Sequence, residues 1–256
     1  MGILSNLFNR VKDGSHTNEI EPLPFETDWK IYRVHAKYIK TDHFRTLQIS
    51  AKSLKHCEAL ASEQGFLPPL EISELPPKLP TENQLEYAKK LNITMLPDMT
   101  FNELSDLITR KAEDGGDTPQ VGLAEFAVSH NMHFSRYIGK NTLYDLIFST
   151  LQGAEKIAFF IFSIYRWLSD DRDANLDTHV YKNTFYEFAN TLISNEKFNK
   201  SMNRYRGSDI KFFGTLTVND QQYIGGSTDT IAYKIISEYL KNDFDLKPRN
   251  TKTLSK

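Results

Sequence analysis

The residues best suited to chemistry in this sequence are basic side chains interspersed with aromatic ones. Basic groups attract phosphate, and exposed aromatic rings can stack on nucleic-acid bases. Two stretches, 30–55 and 197–211, combine these residue types. We therefore predict nucleic-acid contacts from seven side chains in them: Arg33, His35, Lys37, Lys40, Arg45, Arg204 and Arg206. A plain solvated face of a sheet is the alternative explanation for the first stretch.

The order of residues after Trp29 favours phosphate contact over base reading. Residues 32, 34, 36 and 38 are Tyr, Val, Ala and Tyr, whereas Arg33, His35 and Lys37 alternate with them. Successive side chains of a β-strand point to opposite faces, so the tyrosines are expected to point inwards and the basic residues outwards. Contacts with the phosphate backbone position a protein without reading sequence.

Charge is segregated along the chain, although the net charge is only −2. Residues 29–60 hold seven Lys/Arg against two acids, a local charge of +5. Residues 112–119 hold three acids and no base, and the last ten residues hold four Lys/Arg and no acid. This pattern favours an anionic partner for the basic stretches.

Acidic residues after position 170 imitate the start of a calcium loop. Asp171, Asp173, Asn175 and Asp177 alternate as the first ligands of such a loop do. The loop also needs glycine and a late acid, where this chain has Leu176 and Lys182. A solvated loop between helices explains the pattern better.

Three further candidates for chemistry have ordinary structural explanations. His130 and His133 have a spacing that can ligate a metal, but a zincin motif and a nearby cysteine are absent, so surface histidines are favoured. Gly225-Gly226-Ser227-Thr228 could bind an anion at a helix N-terminus, but it lacks the P-loop lysine and reads as a capped turn. Cys57 lies on the apolar face of its helix and is predicted to be core. We predict no catalytic residue, metal or cofactor.

Compartment and membrane contact follow from simple features. The single cysteine excludes an internal disulfide and fits the reducing cytosol, so we predict a cytoplasmic protein. No apolar run is long enough to span a bilayer, which predicts no stable membrane insertion.

The basic stretch near residue 30 is expected to belong to a small α+β domain at 29–76. Its pattern predicts two strands joined by a turn at Thr41-Asp42-His43. A helix capped by Ser53 and closed by Gly65 follows, and then a short strand at 70–72. The order is β-β-α-β.

Residues 80–111 predict two short helices with an extended connection. Thr81 with Gln84 and Thr100 with Glu103 have the spacing of capping boxes, and Asn92 to Pro97 interrupts the helical pattern. This helix, extended loop and helix, ending in ELSDLI, resembles the SAP-type nucleic-acid-binding module, over about an eighth of the chain. The resemblance implies a SAP-like fold and DNA binding for this hairpin.

The remainder is predicted to be helical. An acidic, glycine-rich boundary at 112–118 precedes helices at about 119–130, 135–138, 141–168, 179–195 and 227–242, and residues 211–218 with 223–224 can form an inserted β-hairpin. The fold class is therefore α+β, mainly helical. The domain scheme is 1–28 N-terminal segment and linker, 29–76 α+β domain, 80–111 hairpin, 119–246 helical domain and 247–256 basic tail.

These features predict a modular, non-catalytic protein that associates with nucleic acid through phosphate contacts. The alternative from another class is a protein-interaction adaptor whose helical domain holds a partner. The least supported alternative is an enzyme with a divalent-metal or phosphate site near 170–177 or 225–228. Salt dependence separates the first two, because phosphate contacts weaken steeply with ionic strength.

Overall fold

The fold is described from a computed structural model of the 256-residue chain. It describes residues 21–24, 29–113, 118–211, 213, 215–218, 221–224, 228–244 and 246. Four predicted features lie wholly or partly outside these residues: the N-terminal segment 1–28, the acidic boundary 112–118, the glycine-rich turn 225–228 and the basic tail 247–256.

The first unit is the predicted β-β-α-β layer. It consists of β1 (Lys30–Tyr38), β2 (His43–Ala51), α1 (Leu54–Glu63) and β3 (Phe66–Leu75). The sheet order is β2-β1-β3, and β1 pairs antiparallel with both neighbours. The third strand is much longer than the predicted residues 70–72. Its hydrogen-bonded pairing with β1 extends from Phe66 to Leu75, beyond the short apolar pattern on which the prediction was based.

Helix α1 begins and ends as the sequence predicts. The Ser53 hydroxyl accepts a hydrogen bond from the His56 backbone N at 3.2 Å, which satisfies one of the free amides of the first turn. Gly65 follows the helix with φ +88°, a conformation that other residues rarely adopt. Cys57 and Ala61 are fully buried between the helix and the sheet.

The second unit is a helical hairpin of α2 (Glu82–Lys90) and α3 (Phe101–Glu113). Thr81 and Gln84 form the predicted capping box, with mutual bonds of 2.9 and 3.3 Å. Thr100 and Glu103 form the second one, at 2.8 and 3.3 Å. The order helix, extended connection, helix is thus confirmed, whereas membership of the SAP class stays a prediction.

The remaining described residues are mainly helical. The elements are α4 (Val121–Ser129), α5 (Lys140–Thr150), α6 (Gly153–Ser169), α7 (Lys182–Leu192), α8 (Glu196–Met202), a 3₁₀ turn (Ser208–Lys211), β4 (Thr215–Val218), β5 (Gln221–Ile224) and α9 (Ile231–Phe244). Strands β4 and β5 pair antiparallel, which confirms the inserted hairpin. A helix at 135–138 was predicted wrongly, because these residues form turn and coil that lead into α5.

The predicted continuous helix 141–168 is two helices. Leu151 and Gln152 are extended, with ψ of 147° and 162°, and Gly153 has φ +53°. Apolar periodicity misled the prediction, because both helices bury an apolar stripe in the same core. The physical signal for the break was Gly153, since glycine adopts positive φ readily.

The buried side chains form three clusters. The largest surrounds α6, of which ten of seventeen residues are buried. A second lies between α1 and the sheet, and the third joins α2 and α3 to Tyr137. The overall class is therefore α+β and mainly helical, as predicted, while the domain boundaries stay a prediction. None of the helices that the structure describes has both the length and the apolar character to cross a bilayer.

Candidate nucleic-acid interface

Helix α1 covers one face of the sheet, and most side chains of the other face are exposed among the residues that the structure describes. Residues directly opposite each other in an antiparallel pair point to the same face, so the register assigns each side chain to a face. Tyr32, Val34 and Ala36 of β1 point towards α1 and are at most 4% exposed. We call the other side the open face; it comprises Ile31, Arg33, His35 and Lys37 of β1, Phe44, Thr46, Gln48 and Ser50 of β2, and Leu67, Glu71, Ser73 and Leu75 of β3.

Three of the predicted contact residues meet on this open face. Arg33, His35 and Lys37 occupy alternate positions of the central strand, which confirms the predicted alternation. The His35 Nδ1 lies 2.8 Å from the Thr46 hydroxyl, and the Arg33 Nε lies 3.4 Å from the Ser73 hydroxyl. The strand backbone and these neighbours hold the basic groups in a row.

The open face also presents an aromatic ring. Phe44 lies opposite Lys37 in the register and is 62% exposed. Its ring stacks on that of His35, with ring centroids 5.4 Å apart and an interplanar angle of 16°. An exposed ring of this kind has the chemistry to stack on an unpaired base.

Carboxylates offset part of the positive charge that the sequence count suggested. The Lys37 ammonium lies 2.7 Å from Asp42, and the Lys30 ammonium lies 3.0 Å from Glu74. Glu71 is exposed directly opposite His35. Arg33 has no carboxylate within 4 Å among the described residues, so it is the cation most available to a phosphate.

Lys40 and Arg45 do not belong to the open face. Lys40 is exposed in the turn between β1 and β2. Arg45 lies opposite Ala36, and its guanidinium lies 4.9 Å from the Tyr38 ring at the edge of the helix-covered face. The structure therefore divides the predicted patch instead of gathering it.

Arg204 and Arg206 form a separate exposed pair in the loop after α8. Tyr205 between them is buried. The same loop packs closely on α5: a Cβ added at Gly207 would lie 2.0 Å from the Tyr144 carbonyl oxygen. These two arginines thus belong to the helical part of the chain and not to the open face.

His130 and His133, whose spacing could ligate a metal but which the sequence favours as surface histidines, have different partners in the structure. The Nε2 of His130 lies 3.1 Å from Asp177, and its Nδ1 lies 3.4 Å from Glu155. His133 stacks on Trp29 with centroids 5.0 Å apart. Both rings are therefore used in hydrogen bonding or packing, and the Trp29 ring already stacks on His133.

The acidic loop after α6 does not gather its carboxylates around a cation. Asp177 accepts hydrogen bonds from Lys182 at 2.8 Å and Ser129 at 2.7 Å. Burial alone would raise the pKa of Asp177, but these bonds outweigh it, and the pKa is lowered. Within the described ranges, no group of three or more His, Cys, Asp or Glu side chains is arranged to hold a metal.

The remaining candidates are structural or lie outside the description. Cys57 is fully buried, as predicted, and burial raises the pKa of its thiol. Of the glycine-rich turn 225–228, only Thr228 is described, and it is exposed.

Two important residues of the open face were missing from the predicted contact set. Phe44 lies in the basic-aromatic stretch 30–55, but the predicted set contains only basic residues, and Glu71 lies outside both predicted stretches. Counting residues outwards from the turn would have placed Phe44 opposite Lys37, because the β1–β2 register is unbroken. No local signal placed Glu71, since its position depends on how β3 pairs with β1.

Comparisons with protein-family models, with curated proteins and with solved structures found no match for this chain.

Proposed function

We propose that this chain associates with nucleic acid without catalysis, through the open face of its N-terminal sheet. The observation that carries the proposal is the row of Arg33, His35 and Lys37 on the central strand beside the exposed ring of Phe44. Cations on a fixed strand can contact successive phosphates, and a neighbouring ring can stack on an unpaired base. We place this activity in the reducing cytosol, since the one cysteine is a free thiol.

The arrangement favours single strands over duplexes. Stacking on Phe44 requires a base that is not paired, whereas phosphate contact requires only the backbone. The described side chains of the open face lie on paired strands of a three-stranded sheet, an arrangement that suits contact with the backbone and an unpaired base better than reading of base edges in a groove. The proposed binding is therefore insensitive to sequence and favours single strands.

Affinity is expected to be moderate because carboxylates lie close to the cations. A phosphate approaching Lys37 competes with Asp42, and one approaching His35 meets Glu71 on the same row. The SAP-like hairpin is a further candidate contact, although its 81–111 segment carries five acids against four bases. Arg204 and Arg206 could extend the contact if the strand reaches the helical part.

The test is a fluorescence titration with labelled single- and double-stranded oligonucleotides at salt concentrations from about 50 to 200 mM. We expect the double substitution Arg33→Gln/Lys37→Gln to weaken binding to all sequences alike. The slope of log affinity against log salt should become shallower by about 1 to 2, because each phosphate contact contributes about 0.7–0.9.

A matched control removes the same charge from the other side of the layer. Arg45 lies on the covered face and Lys55 is exposed on α1, so Arg45→Gln/Lys55→Gln changes net charge equally. It should leave the slope almost unchanged. If both doubles weaken binding equally, the open face is not the site; if the wild type does not bind at low salt, the proposal fails.

A protein-interaction adaptor is the second candidate, favoured by apolar side chains exposed in the helical part. Val180 is 82% exposed and Tyr181 is 38% exposed, immediately before α7. Apolar contacts are not screened by salt, so binding of a partner here should persist at high ionic strength. Partner capture that Val180→Ser abolishes, and that salt leaves intact, would favour this candidate.

A further inference from the structure

A pocket lies where the helical hairpin meets two other segments of the chain. Its volume is about 260 Å³. The extended connection between α2 and α3 forms one wall, α3 forms a second, and residues 21–22 with the turn 136–137 close the rest. Ligand pockets usually measure about 300–1,000 Å³, so this one suits a small molecule.

The interior of the pocket is largely apolar. Ile93 and Leu96 come from the extended connection, and Leu107 comes from the buried face of α3. Tyr137 is only 3% exposed, and its ring belongs to the core cluster of the hairpin. Pro22 contributes from the segment that precedes the sheet. These residues can enclose an aromatic or aliphatic body.

One cation of the pocket is available to a ligand. Lys111 lines the pocket, is half-buried and has no carboxylate within 4 Å among the described residues. Arg136 also lines it, but its Nε is bonded to Glu103 at 2.9 Å. An anion beside Lys111 could form a charge-assisted hydrogen bond with its ammonium.

Glu21 sets a limit on the charge of the ligand. It is exposed at the rim of the pocket, and its backbone carbonyl accepts a hydrogen bond from Arg110 at 3.0 Å. Arg136 is paired with Glu103, so the described lining residues contribute one lysine without a carboxylate partner and one exposed acid. A single negative charge placed against Lys111 fits this balance better than a doubly charged phosphate.

We propose that this pocket binds a small monocarboxylate with an apolar body, in which the carboxylate pairs with Lys111 and the body lies on Ile93, Leu107 and Tyr137. This site is separate from the open face, and its binding is independent of nucleic acid. Because the ligand touches both the hairpin and Tyr137, it also stabilises the packing of the hairpin on the turn 136–137.

The experiment uses 3-phenylpropanoate as the probe and the full chain, followed by backbone NMR shifts. The neutral 3-phenylpropanamide keeps the apolar body without the charge, and acetate keeps the charge without the body. We expect saturable shifts at Ile93, Thr94 and Leu107 for the acid. The amide should bind about tenfold more weakly, as loss of one charge-assisted hydrogen bond predicts. Acetate should bind at least as weakly, because it lacks the apolar body that would be buried in the pocket.

Substitutions on the two helices test the role of Lys111. Lys111→Gln should weaken the acid about tenfold and leave the amide unchanged, whereas Lys111→Arg should restore most of the affinity. The matched control is Lys90→Gln, since Lys90 is also in the last turn of a hairpin helix but does not line the pocket. It should bind the acid as the wild type does.

Three results would overturn the proposal. The first is no saturable shift at the pocket residues with 3-phenylpropanoate. The second is equal binding of acid and amide to the wild type, which decides the question even if Lys111→Gln fails to fold. The third is an equal loss of affinity in Lys111→Gln and Lys90→Gln, which would assign the effect to the general charge of the hairpin.

Discussion

The two faces of the N-terminal sheet come from alternate residues of the same strands, yet different constraints act on them. On the covered face, Val34 and Ala36 are fully buried against α1. On the open face, Arg33 next to Val34 is exposed to solvent. Burial restricts the covered face to residues that fill the space without leaving polar groups unpaired. The open face is free of that restriction, so binding residues can be placed there at little cost in stability.

The largest expected effect is a charge placed on the covered face. Val34→Asp would bury an unpaired carboxylate and should cost about 3–5 kcal/mol. The free energy of unfolding of a native protein is roughly 5–15 kcal/mol, so this loss should make the sheet unit of Val34→Asp unfold or open frequently. Urea unfolding followed by circular dichroism measures the loss. The Cys57 thiol is buried in the same cluster, so a thiol reagent should label it slowly in the wild type and rapidly in Val34→Asp.

The matched control is the same change one residue earlier. Arg33→Asp places the carboxylate on the open face, where water solvates it, and stability should change by no more than about 0.5 kcal/mol. Its Cys57 should stay protected, because burial shields the thiol and raises its pKa, so that less thiolate is present at a given pH. Equal destabilisation by the two variants would show that the two faces do not differ in burial.

A medium effect is expected from the exposed ring. Phe44→Ala should weaken binding to single strands by about 1–3 kcal/mol, the usual contribution of one stacked base. Binding to duplexes should change little, since paired bases cannot stack on the ring. Parallel titrations with a single strand and its duplex measure the difference. An equal loss for both would mean that Phe44 supports the sheet and does not contact bases.

The smallest expected change in nucleic-acid affinity comes from Glu71, the acid on the open face. Glu71→Gln removes a negative charge opposite His35 and should tighten binding a few-fold, within the range of about 0.2–1 kcal/mol for exposed charge pairs. Glu63→Gln on α1 is the control with equal charge, and it should have no effect. The same titration measures both variants. Tighter nucleic-acid binding by both Glu71→Gln and Glu63→Gln would indicate that affinity responds to net charge and not to the open face.

Local patterns were sufficient to predict much of this fold. Alternation in β1 placed Tyr32 and Val34 inside, the cap at Ser53 marked the start of α1, and two capping boxes marked the hairpin helices. These features depend on residues within four positions of each other. Such short-range signals are readable in a single sequence.

The errors came from interactions between distant parts of the chain. The break at Gly153 was hidden because two helices share one core, and the acids of β3 were missed because its pairing with β1 joins residues about forty positions apart. The same limitation concealed the pocket, which needs Pro22, Leu107 and Tyr137 together. Arg45 was assigned to the patch because charge counting along a strand does not distinguish faces.

The most direct test of the open face as the binding surface adds a charge to it. Gln48 is exposed on β2 opposite Arg33, and Ala59 is exposed on α1, on the opposite side of the sheet. Gln48→Lys and Ala59→Lys alter net charge equally, but screening beyond about 8 Å at physiological salt confines each new charge to its own side.

The measurement is the salt dependence of binding to one labelled single strand by the wild type and both variants. We predict that Gln48→Lys tightens binding and steepens the slope of log affinity against log salt by about 0.7, the contribution of one further phosphate contact on a single strand. Ala59→Lys should leave both quantities unchanged. Equal tightening by the two variants, or none by Gln48→Lys, would contradict the assignment of binding to the open face.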